Sequence, residues 1–255
     1  MSRETQAELR KRVELILGLL ASAYPEAHCE LHFRNPLELL IATILSAQCT
    51  DKQVNIVTAD LFQKYQTAAD YARAEVVELE QDLRRIGLYR NKAKNIRAAC
   101  QALVEHHGGE VPRSLSALVA LGGVGRKTAN VVLGNAFGIE EGVVVDTHVA
   151  RLSGRLGITR ETDPVKIEKR WMSLVPRDRW SILSHWLIWH GRRRCGARKP
   201  DCEGCEIRHL CPSAPGEVKP SPPGTGAAPK KSRRESPEPG RRIRRRSGAG
   251  QVPGT

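Results

Sequence analysis

No run of about 18 apolar residues occurs in this 255-residue chain, which removes a membrane-spanning helix. The N-terminus, Met1-Ser2-Arg3-Glu4-Thr5, also lacks the apolar core of a secretory signal. Strand signals are equally scarce. The single short β-branched run, Val143-Val144-Val145, reads as an extended link. No period of about 20 to 50 residues is visible, so a solenoid is not expected. These absences point to a cytoplasmic, nucleoid-associated protein in a reducing compartment. Disulfides are not expected there, and clustered cysteines are to be read as metal ligands.

What the chain has in excess is positive charge, a formal +13 at pH 7. Nucleic acid is the first partner that such a balance suits, an anionic membrane surface the second. Residues 214–255 carry +7 of this charge with eight prolines and seven glycines. A segment of that composition cannot bury enough surface to offset its ordering entropy. It is expected to be a disordered basic tail, suited to a salt-sensitive DNA tether or, by composition alone, a nuclear localisation signal.

The remaining chain reads as all-α, with nine or ten helices. Thr5-Gln6-Ala7-Glu8 is a capping box, and Asn35-Pro36 an N-cap followed by a first-turn proline. Further helices are predicted over 54–62, 75–86, 91–107, 114–121, 127–137 and 146–156. Two more run from Asp163-Pro164 to before Pro176 and from Asp178 to His190, the last stopped by Gly191.

Two of these helices flank a glycine-rich turn, Leu121-Gly122-Gly123-Val124-Gly125-Arg126. This is the layout of a helix-hairpin-helix. Amides of Gly123, Val124 and Gly125, with the second helix's N-terminus, suit one DNA phosphate without reading sequence. A P-loop needs lysine directly after the last glycine, whereas Arg126 intervenes before Lys127. Lys127 itself has a plain reading as a phosphate contact. The positive end of a helix opposes a protonated amine, and a neutral amine can attack an electrophilic carbon. Asp146 has a plain reading as an N-cap, a role compatible with stabilising positive charge on a sugar.

Four of the seven cysteines, Cys195, Cys202, Cys205 and Cys211, lie within 17 residues. Only one C-x2-C unit is present where zinc usually takes two; the spacing favours a [4Fe–4S] cluster and leaves zinc open. The segment is basic, with Arg198 and Lys199 placed to meet phosphate. Cys29, Cys49 and Cys100 are scattered and read as core residues.

Leu45-Ser46-Ala47-Gln48-Cys49-Thr50-Asp51, Gly87-Leu88-Tyr89, Gly123 to Asn130, Val145-Asp146-Thr147-His148 and the cysteine spacing together resemble the endonuclease III family over about residues 5–213. That resemblance implies a bifunctional DNA glycosylase/AP lyase acting on oxidised pyrimidines and abasic sites in double-stranded DNA. It implies a six-helix barrel over 29–139 and a [4Fe–4S] lobe built from 1–28 and 140–213. It makes Lys127 the nucleophile and Asp146 its electrostatic partner or base. Gln48 would fill the gap left by a flipped nucleotide, and Leu88 would be a wedge. Arg126 and His148 would join the DNA surface, and the protein would act as a monomer. Gly122 stands where the family usually has proline, so a looser hairpin is expected. Two other readings remain: the same scaffold acting on mismatched thymine or uracil, and a non-catalytic, redox-sensing DNA-binding protein.

Overall fold

The computed structural model describes residues 4–215; Met1–Arg3 and nearly all of the expected basic tail lie outside the described residues. Within them the chain is entirely helical, with eleven α-helices, two single 3₁₀ turns and no strand. The helices are α1 (Gln6–Ala23), α2 (Pro36–Leu45), α3 (Asp51–Lys64), α4 (Ala68–Arg73), α5 (Val76–Asp82), α6 (Tyr89–His107), α7 (Leu115–Val119), α8 (Arg126–Phe137), α9 (Thr147–Arg155), α10 (Pro164–Met172) and α11 (Trp180–Arg193). None is long and apolar enough to cross a membrane.

Local chemistry sets most of these boundaries. Thr5 and Glu8 form the reciprocal capping box that opens α1, and Asn35 caps α2 ahead of Pro36. Gly108 and Gly138 end α6 and α8 in the left-handed conformation. The reading from sequence missed α4. Its start is a second capping box, Thr67 with Asp70 in place of the usual Glu or Gln, on a helix of only six residues. It also carried α5 to Ile86, where the chain turns after Asp82 through the Leu83 and Ile86 amides. Gly191 does not stop α11. The helix runs on to Arg193 because Gly191 is a packing site: a Cβ there would stand 2.8 Å from the Cβ of His148 on α9.

Two hydrophobic clusters organise the described residues. One spans Leu31 to Leu133 and gathers α2 to α8, including Leu39, Leu45, Leu83, Ile96 and Leu133. The other joins α1 to the segment after Val143, through Leu9, Ile16, Val149, Trp171, Leu183 and Ile207. The link Val143–Val145 lies in no helix or strand and is buried. It is pinned where the Val144 amide donates to Ser184 Oγ of α11 at 3.0 Å.

Candidate active site

Lys127 and Asp146 come from different segments and line one cavity of about 90 Å³. Residues of both hydrophobic clusters surround it. Thr43 and Ser46 sit at the end of α2, Asn135 on α8, and His185, Trp189 and Arg192 on α11. Lys127 stands in the first turn of α8 and is exposed, open to a macromolecule arriving from outside.

Asp146 caps α9. Its Oδ1 accepts from the amides of His148 and Val149, both at 2.8 Å. Those bonds fix the carboxylate and leave Oδ2 without a hydrogen bond among the described residues. Cap and charge thus use different oxygens. Across the cavity, burial pulls the His185 pKa down to about 4, so the ring is neutral. Its Nε2–H donates to Asn135 Oδ1 at 2.8 Å. The sequence reading gave no role to His185 or Asn135, because they meet across 50 positions and only the fold pairs them.

The hairpin turns on its glycines and leaves backbone amides free of side-chain caps. Gly123 has φ +74°, and a Cβ there would come within 2.7 Å of Asn95 Cβ. Gly125 caps α8 with no side-chain bond, so the first-turn amides of α8 have no capping partner. At Gly122 a Cβ would meet Ala98 Cβ at 3.2 Å, so α6 supports the turn closely from behind. Arg126 is otherwise engaged: its guanidinium grips Glu168 on α10. His148 accepts at Nδ1 from Arg151, while Arg198 and Lys199 are exposed.

Gln48 and Leu88 are the two non-glycine residues with positive φ among the described residues, at 54° and 59°. Such backbone costs on the order of 1–3 kcal/mol each and persists only where surroundings enforce it. The two turns are neighbours, since a Cβ on Gly87 would lie 3.6 Å from Gln48 O. Leu88 is 56% exposed. One buried residue serves both turns. Lys92 Nζ donates to Leu45 O at 2.8 Å and Ala47 O at 2.6 Å, and its amide donates to Leu88 O. Burial lowers its pKa. The sequence clue was a lysine on the apolar face shared with Ile96, Ala99 and Leu103. Lys92→Met takes the donor from the buried Leu45 carbonyl and from that of Ala47, and is expected to cost about 1–3 kcal/mol in a denaturant titration.

All four clustered cysteines, with His190, Arg155 and Arg194, line a second cavity of about 260 Å³. Arg155 donates to Cys195 Sγ at 3.1 Å and to the carbonyls of Gly196 and Ala197. His190 is buried, with its pKa lowered by burial to about 4. Tyr24 OH lies 3.0 Å from its Nδ1, and Cys205 Sγ lies 3.7 Å from its Nε2. Burial and neighbouring thiols push the Cys205 thiol up to about 11. Four soft sulfur donors repelling one another as thiolates suit a cationic metal centre.

A family model described as HhH-GPD superfamily base excision DNA repair protein matches residues 41–177. The chain is 52% identical to "Endonuclease III" of Synechocystis sp. (strain ATCC 27184 / PCC 6803 / Kazusa) over 208 residues, which are 82% of this chain and 95% of that relative. The chain belongs to the endonuclease III family. The relative from Escherichia coli (strain K12) is 45% identical over 79% of this chain and 94% of its own length. A solved structure described as a non-covalent Endonuclease III–DNA complex superposes with TM-score 0.78 at 50% identity, over 80% of this chain and 96% of that one. A thermostable thymine-DNA glycosylase, 24% identical over 81% of this chain and 98% of that one, with TM-score 0.74, shares the fold. This endonuclease III family chain is a DNA glycosylase/AP lyase of base excision repair.

Proposed function

We propose that the chain removes oxidised or ring-saturated pyrimidines from double-stranded DNA and nicks the resulting abasic sites, with Lys127 as nucleophile and Asp146 as its partner. The observation that carries this reading is the single cavity lined by both, beside a hairpin whose amides suit phosphate. The related structures are described as DNA complexes, one of them a trapped covalent intermediate. Binding to a flipped nucleotide presents C1′ to Lys127 Nζ. The C–N bond to lysine forms as the glycosidic bond breaks, and the base leaves with its electron pair. Asp146 Oδ2 stabilises the positive charge on the sugar. The C1′–O4′ bond then breaks, its electron pair going to O4′, which takes the proton that nitrogen gives up; the resulting Schiff base loses a C2′ proton, and β-elimination expels the 3′-phosphate. Gln48 and Leu88, held in their strained turns, fill and wedge the stack. His148, Arg198 and Lys199 join the DNA surface. The two hydrophobic clusters support two lobes, a barrel over 29–139 and a cluster lobe from 1–28 with 140–213. A cytoplasmic monomer fits this activity. Cleavage of a duplex panel containing thymine glycol, mismatched thymine or uracil tests the substrate. Turnover of mismatched thymine alone would replace the reading.

Cys195, Cys202, Cys205 and Cys211 would hold a [4Fe–4S] cluster. Four thiols lining one cavity, in a spacing with a single C-x2-C unit, support that choice over one zinc ion. Bound there, the cluster supplies four metal–thiolate bonds that fix the segment. Native protein is expected to contain iron and acid-labile sulfide in equal amounts; stoichiometric zinc would sink the assignment. Cys202→Ser is expected to lower stability by several kcal/mol, about 10 °C or more in Tm.

A further inference from the structure

Lys127 and Asp146 reach the cleft on separate segments, and one buried carboxylate outside the cleft touches both. Glu168 lies on α10, 4% exposed, on the same buried face as Ile167 and Trp171. Its Oε2 accepts from Arg126 Nε at 2.7 Å, and its Oε1 accepts from Arg126 Nη2 and Asn130 Nδ2, both at 3.0 Å. Arg126 begins α8 and directly precedes Lys127; Asn130 is one turn further on. The third wall of this knot is Gly142, where a Cβ would stand 1.8 Å from Glu168 Oε1 and 2.6 Å from Asn130 Nδ2. Gly142 lies in the link that runs to Asp146.

We infer that Glu168 is a positioning residue: by gripping Arg126 and seating against Gly142, it sets Lys127 relative to Asp146. This rests on the reading of those two as the reacting pair. A buried ion pair is weak evidence for stability and better suited to fixing a geometry. The bidentate fork fixes both distance and direction. It also commits the guanidinium of a hairpin residue to Glu168 while the arginine side chain stays 41% exposed. A displacement of about 1 Å at a reacting pair can cost on the order of 10²-fold in rate.

The test separates rate from binding. Single-turnover borohydride trapping at saturating abasic DNA gives the first; affinity for a tetrahydrofuran-containing duplex gives the second. Both are read well below each variant's Tm. Glu168→Gln keeps the shape and removes the charge. It is expected to slow trapping about 10- to 100-fold with unchanged affinity. Arg126→Lys, at a position exposed enough to tolerate it, keeps the charge and loses the fork; it is expected to slow trapping about tenfold. Gly142→Ala should reproduce the rate loss with Arg126 and Glu168 intact. Wild-type trapping rates at saturation in Glu168→Gln and Arg126→Lys overturn the inference, as does a loss confined to affinity. If Lys127→Ala still traps, the reading of the reacting pair has failed instead.

Discussion

Lys127→Ala is expected to form no borohydride-trapped complex with abasic DNA and to lose strand cleavage by on the order of 10³-fold or more. The folded state should hardly notice. Lys127 is exposed in the first turn of α8, makes no ion pair among the described residues, and alanine is the better helix former. A stability change within about 0.5 kcal/mol is expected. Duplex affinity should fall only modestly, because the hairpin amides and the turns at Gln48 and Leu88 remain in place. Activity therefore separates from both folding and binding. Trapping at the wild-type level in this variant would return Lys127 to a phosphate contact and end the covalent mechanism.

Asp146→Asn addresses the second residue, whose two oxygens divide its roles. Asparagine is as good an N-cap as aspartate, and its carbonyl oxygen can take the place of Oδ1 before the amides of His148 and Val149. Stability should hold within about 1 kcal/mol. The charge is gone, and glycosylase turnover is expected to fall about 10²- to 10⁴-fold. Asp146→Ala removes the cap as well, adding a destabilisation of about 1 kcal/mol. A wild-type glycosylase rate in Asp146→Asn would leave only the structural role.

Much of this was legible in the sequence for physical reasons that can be named. Thr5, Asn35, Ser114, Asp146 and Asp163 cap helices through their own side chains, so their chemistry shows in a few residues. The glycine hairpin and the cysteine spacing are likewise local. Features built across distance were invisible. Glu168 meets Arg126 over 42 positions, Lys92 reaches Leu45 over 47, and Tyr24 meets His190 over 166. Gly191 misled for the same reason. A glycine at a helix end and a glycine under a crossing helix look alike until the partner, here His148, is in place.

Helix α11 serves two neighbourhoods at once. His185, Trp189 and Arg192 wall the cleft, while His190 and, two residues past the helix, Cys195 face the sulfur-lined cavity. Arg192 also clasps Asp51 at the start of α3 at 2.7 Å. At about 1.5 Å per residue, roughly 12 Å of rod runs from His185 to the helix end at Arg193. One helix therefore holds both walls, and Arg151 of α9 ties its last turn in place through the carbonyls of Gly191 and Cys195.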